Sequence, residues 1–106
     1  MVTVKDIETR RRSDSFVESE ARVEVGDTDT VVAGDLDLST ISYAQVGIAQ
    51  SGTGVGTSDP MVVTQASLDP TNGSLVIGIA SFSGGTFGSL VEAAGSAIVN
   101  ITARGT

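Results

Sequence analysis

From Val17 to Val25 the chain alternates without a break. Val17, Ser19, Ala21, Val23 and Val25 share one parity, and Glu18, Glu20, Arg22 and Glu24 share the other. An extended strand, whose successive side chains point to opposite faces, separates those two sets; a helix would mix them. One face is suited to a core and the other to water or a charged partner. The charged row also suits an edge strand that must resist unwanted pairing.

Five further runs read as strands bounded by turn residues. Asp27-Thr28-Asp29 opens the first, which carries Val31 and Val32 and ends at Gly34-Asp35. The second covers residues 41–49, where Ile41 and Tyr43 have one parity and Ala44, Val46 and Ile48 the other. That change of phase predicts a bulge or burial on both faces. The third covers 61–68. The fourth, 75–82, is apolar on both parities and reads as a central strand. The last, 97–103, sets Val99 and Ile101 against Ile98, Asn100 and Thr102. Asp69-Pro70-Thr71-Asn72-Gly73 predicts a hairpin turn, and two Gly/Ser/Thr-rich loops occupy 51–60 and 83–88. A short turn around 89–94 is the only helical candidate after Val25. The fold class that follows is all-β: an antiparallel β-sandwich or small barrel of about six to seven short strands with a charged N-terminal arm. Three Phe and one Tyr supply all the aromatic area, so the core must be aliphatic.

Charge and glycine divide the chain. All 13 glycines lie at or after Gly26, whereas 15 of the 19 charged residues lie at or before Asp37. We therefore expect an arm over residues 1–25 and a single β-sandwich body over 26–106, a size that can bury one modest core. In the arm, Thr3-Val4-Lys5-Asp6 has the spacing of a capping box, with Val4, Ile7 and Arg11 on one helical face. The readings of residues 4–12 are a two-turn helix or an extended segment. Arg10, Arg11 and Arg12 form the one basic cluster. It reads either as a grip on phosphate or carboxylate, or as a mixed-charge segment neutralised by Asp6, Glu8, Asp14, Glu18 and Glu20 or paired with a neighbouring subunit. Arg10, Arg11, Arg12, Glu18, Glu20 and Arg22 are the arm's candidate partner-binding residues. A chain starting at Gly26 would separate an arm that closes the sandwich from one that only attaches.

Chemistry is sparsely provided. The chain has no His and no Cys, which removes the commonest acid-base group and the thiol nucleophile. No catalytic residue and no cofactor is expected. The pairs Asp27/Asp29 and Asp35/Asp37 could converge on a hard cation, but Asp at turn positions ordinarily bonds its own backbone, and that reading is preferred. A net charge of −7 argues against a nucleic-acid partner, which would require a basic stripe. No apolar run approaches the ~20 residues that span a bilayer, so no membrane partner is expected. Phe87, in the loop Ser83-Gly84-Gly85-Thr86-Phe87-Gly88, reads as a lid on the core, a contact to a neighbouring subunit or a stacking platform for a sugar.

The run Asp35-Leu36-Asp37-Leu38-Ser39-Thr40-Ile41, the turn Asn72-Gly73-Ser74-Leu75 and the strand Ile98-Val99-Asn100-Ile101-Thr102-Ala103-Arg104-Gly105 give the chain a layout that resembles the small β-sandwich virion proteins of tailed viruses. With five Arg to one Lys and an acidic balance, its composition is similar to haloarchaeal members. The resemblance implies a non-enzymatic structural protein located in the virion: a head decoration, vertex turret or tail component. Such a protein would be homo-oligomeric, with the major capsid or tail protein as a further partner. The alternative is a carbohydrate-binding or host-adhesion module with a glycan partner, the loops 51–60 and 83–88 forming its binding edge.

Overall fold

The computed structural model describes residues 2–12, 15–26, 29–51, 61–69, 71, 73–82, 90–92 and 96–106. In chain order the elements are β1 (Thr3–Arg11), β2 (Val17–Gly26), β3 (Asp29–Val32), a 3-10 turn (Ala33–Leu36), β4 (Ile41–Ser51), β5 (Met61–Asp69), β6 (Ser74–Phe82), β7 (Leu90–Glu92) and β8 (Ser96–Gly105). The pairings among these strands are antiparallel. Sheet A has the order β1-β2-β8-β4, and sheet B the order β3-β6-β5 with β7 also on β6. Because β5 follows β6 along nearly its whole length, β3 and β7 share the opposite edge of β6.

The two sheets pack face to face around one aliphatic core, which makes the protein a β-sandwich. Sheet A contributes Ala21, Val23 and Val25 from β2 and Ala97, Val99, Ile101 and Ala103 from β8. Sheet B contributes Val31, Leu75, Ile77 and Ile79, while Leu36 and Leu38 from the connecting segment and Ile41 at the start of β4 complete the core. The alternation of β2 thus does what its pattern requires: the apolar parity is buried, while Glu20 and Arg22 stay exposed. β6 is the central strand of its sheet, as its two apolar parities predict.

Local irregularities follow the sequence closely. The change of phase in β4 is a bulge between Ile41 and Tyr43, which keeps Ile41 in the core and turns Tyr43 outward while Ala44, Val46 and Ile48 pack inward. The β5–β6 hairpin closes where the turn motif lies. The Gly73 amide donates to the Asp69 carbonyl at 2.9 Å, the Thr71 amide donates to Asp69 Oδ1 at 3.0 Å, and Gly73 has φ 64°, a left-handed conformation that glycine adopts without strain. At the 3-10 turn, Asp35 Oδ2 accepts from the Val32 amide at 3.1 Å. Asp29 Oδ2 accepts from the Gly26 amide at 2.6 Å. Both carboxylates are occupied with backbone, in the manner of turn aspartates; Asp27 lies outside the described residues.

Of the two readings of residues 4–12 the extended one holds, since residues 3–11 form a strand. An isolated helix of two turns hardly repays nucleation, whereas here β2 offers a ready edge along which residues from Thr3 to Arg11 pair. Two other expectations need correction. β2 is not an edge strand at the head of a separate arm. It sits between β1 and β8 and pairs with β8 from Val17 to Gly26, so the packing boundary falls between β1 and β2, not at residue 26. Residues 90–92, within the expected helical turn, are the short strand β7, held by pairing with β6.

Candidate functional site

The outer face of sheet A gathers most of the candidate residues. Its side chains form rows across the four strands, set by the register. Arg10, Glu18, Arg104 and Tyr43 make one row; Glu8, Glu20, Thr102 and Gln45 the next; Asp6, Arg22, Asn100 and Gly47 a third; Thr3, Glu24, Ile98 and Gln50 a fourth. Residues far apart in the chain thus meet because opposed residues in a sheet share a face. The first row closes one end of the sheet with an ion cluster. Glu18 Oε1 accepts from Arg12 Nε at 3.2 Å and from Arg12 Nη2 at 2.8 Å, and Glu18 Oε2 lies 3.5 Å from Arg104 Nε. The Arg104 guanidinium sits 5.5 Å from the Phe16 ring centre and 5.6 Å from that of Tyr43, within cation-π range of both. The hydrogen bond from Arg12 holds the Glu18 carboxyl below its ordinary value of 4.5; desolvation works against this, and the charges of Arg12 and Arg104 reinforce it.

Along the second and third rows runs an open groove of about 570 Å³, with Asp6, Glu8, Glu20, Arg22, Asn100 and Thr102 among its walls. Glu8 stands opposite Glu20, a like-charge pairing that is unfavourable in itself. It is relieved by Arg10, whose Nε and Nη2 both donate to Glu8 Oε1, at 2.9 and 2.6 Å; the same contact raises the Arg10 guanidinium further above its ordinary value. Arg22 does not answer Asp6, its neighbour in register, but donates to Gln50 Oε1 at 3.0 Å. Lys5, at the bulge between Val4 and Asp6, reaches Glu24 at 3.3 Å.

Of the residues expected to bind a partner, Arg10, Arg12, Glu18, Glu20 and Arg22 therefore come together on one surface. Arg11 does not: it pairs with Val17 on the opposite face of β1. Phe87 and residues 52–60 and 83–89 lie outside the described residues. Phe16, Tyr43 and Arg104 were not among the expected residues. The parity that places Asn100 and Thr102 outward extends to Arg104 and was available, but its meeting with Glu18 needs the β2–β8 register. Chemically, the surface offers carboxylates, guanidinium groups, an amide and a hydroxyl in exposed positions. That set can form ion pairs and hydrogen bonds.

β1 itself is the second element of the site. All nine of its residues are exposed, and among the described residues it is paired on one side only. Its inner parity continues the core face of β2 beyond the reach of sheet B, leaving Val4 and Ile7 at 36% and 37% exposure. No protein family, curated protein or solved structure matches the chain.

Proposed function

We propose that this protein is a non-enzymatic structural component of a virion, a head decoration, vertex turret or tail protein that assembles with copies of itself and attaches to the particle. The observation that carries the reading is β1, a nine-residue strand exposed on both faces and open along one edge among the described residues. An open edge of this kind recruits a further strand through main-chain hydrogen bonds, without any reaction chemistry. Symmetric repetition would multiply a weak edge contact into firm attachment. Composition supports the same reading: no His, no Cys and an aliphatic core suit a scaffold better than a catalyst. The acidic, Arg-over-Lys balance supports a haloarchaeal setting.

Light scattering on the purified protein, in low and in high salt, tests this. A discrete oligomer is the expected result. A monomer at every concentration in both salts would overturn the proposal and favour the second reading, a carbohydrate-binding module. What favours that second reading is the groove over β1, β2 and β8, whose carboxylates and Asn100 amide could hydrogen-bond sugar hydroxyls. Saturable binding on a glycan array would support it.

A further inference from the structure

We propose, building on the self-assembling reading above, that two copies of this chain pair antiparallel along the open edge of β1, with Thr9 of one copy facing Thr9 of the other across a two-fold axis. The first support is main-chain geometry. The Arg12 amide donates to the Phe16 carbonyl at 3.2 Å, which makes that pair a hydrogen-bonded one. In an antiparallel ladder such pairs alternate, so the main-chain groups of Arg10, Glu8 and Asp6 turn toward β2 and those of Ile7 and Thr9 turn to the open edge. The second support is charge. On the outer face β1 is acidic in its first half, at Asp6 and Glu8, and basic in its second, at Arg10 and the following Arg12. An antiparallel pairing lays the acidic half of one copy against the basic half of the other.

Charge also selects the register. Centred on Ile7, the pairing would oppose Asp6 to Glu8 twice. Centred on Glu8, it would match Asp6 with Arg10 but set Glu8 against itself. Centred on Arg10, it would match Glu8 with Arg12 but set Arg10 against itself. Centred on Thr9, Glu8 meets Arg10 and Asp6 meets Arg12, each twice, and no like charges stand opposed on that face. The carboxylates are available for this, while Arg12, whose Nε and Nη2 already donate to Glu18, would share its guanidinium with Asp6 of the second copy. Both contacts from Arg10 fall on Oε1 of Glu8, and Asp6 makes no ion pair among the described residues. The bulge between Val4 and Asp6 limits pairing to the later part of the strand, which suits a closed pair better than an open-ended sheet. The result is one continuous sheet across the two copies, an isologous interface.

The chain has no cysteine, which makes the register directly readable. At the axis a hydrogen-bonded pair has its Cα atoms about 5.5 Å apart, within disulfide reach. Thr9→Cys should therefore give a disulfide-linked dimer under mild oxidation. Ile7→Cys should not, because its two copies would lie about 13 Å apart along the strands. Charge reversal is the second arm, at about 0.1 M salt, where screening leaves such contacts intact over ~10 Å. Glu8→Arg alone and Arg10→Glu alone each oppose like charges and should halve the mass seen by light scattering. Mixed in equal amounts, the two variants should restore it, because the introduced arginine of one faces the introduced glutamate of the other, while the unchanged Arg10 of the first faces the unchanged Glu8 of the second. Circular dichroism confirms that each variant is folded. Efficient cross-linking through Ile7→Cys, or an oligomer indifferent to both reversals, would overturn the register while leaving self-assembly standing. A wild-type protein that stays monomeric and a Thr9→Cys variant that does not cross-link would overturn the pairing and the self-assembling reading together.

Discussion

Gly105 occupies a position that no other residue could fill without moving backbone. It pairs with Val17 on one side and Ile41 on the other, and a Cβ built there would overlap the Thr40 carbonyl oxygen. That neighbour is main chain and cannot rotate away. Gly105→Ala should destabilise the fold by about 1–3 kcal/mol, the usual cost of overpacking, as measured by urea unfolding; an unchanged midpoint would show that the strand end relaxes freely. Ser19 presents the opposite case. Its hydroxyl is fully buried on the core face of β2 with no hydrogen-bond partner among the described residues. Ser19→Ala removes an unsatisfied group and should be neutral or stabilising by about 1 kcal/mol, and a clear loss of stability would reveal a partner for that oxygen. Glu18 makes a pH prediction. Its folded-state value lies below its ordinary 4.5, so its contribution to stability is fully present above that value and disappears as pH falls through the lower folded value. Thermal melts of Glu18→Gln against wild type should diverge above pH 4.5 and converge in stronger acid; a constant gap would remove the ion cluster from the acid response.

Among the elements, β1 and β2 have opposite standing although they are neighbours in one hairpin. β1 is exposed throughout, while β2 supplies Ala21, Val23 and Val25 to the core and bridges β1 to β8. The informative truncation therefore begins at Ser15, not at Gly26. A chain starting at Ser15 should retain its β-sheet circular dichroism and a cooperative melt while losing self-association. A chain starting at Gly26 loses Ala21, Val23 and Val25 from the core and strips one side of β8 of its partner from Ala97 to Gly105, and should not fold. Unfolding of both shortened chains would mean that β1 closes the sandwich; folding of both would contradict the place of β2 in the core. The helical reading of 4–12 gave way to the extended one for a reason visible in the same hairpin. Thr3 and Asp6 have the spacing of a cap, but a cap contributes only about 1 kcal/mol, less than a full ladder of pairing to a neighbouring strand provides.

For the molecule as a whole, the net charge of −7 is a source of self-repulsion. Screening shortens from ~10 Å at 0.1 M salt to ~3 Å at 1 M, so the melting temperature should rise across that range; a fall would show that ion pairs such as Arg12–Glu18 outweigh the general repulsion. How much of this could be read without a structure follows from the range of each signal. Parity is local, so the strands at 17–26, 41–51, 61–69, 74–82 and 96–105, the phase change at Tyr43 and the turn at Gly73 were all legible in the residues themselves. Strand order and register are not local. Whether β2 lies at an edge or in the interior depends on β8, at the far end of the chain, and no pattern within β2 records it. The candidate surface divides the same way: Glu18, Glu20 and Arg22 declared themselves by alternation, whereas Arg104 and Tyr43 joined them only through pairing. An all-β chain with an aliphatic core and a charged face was already written in the residues, because hydrophobic period and turn chemistry act over a few positions at a time. That β1 is paired on one side only among the described residues was settled in three dimensions alone, because it depends on how distant segments share the available partners.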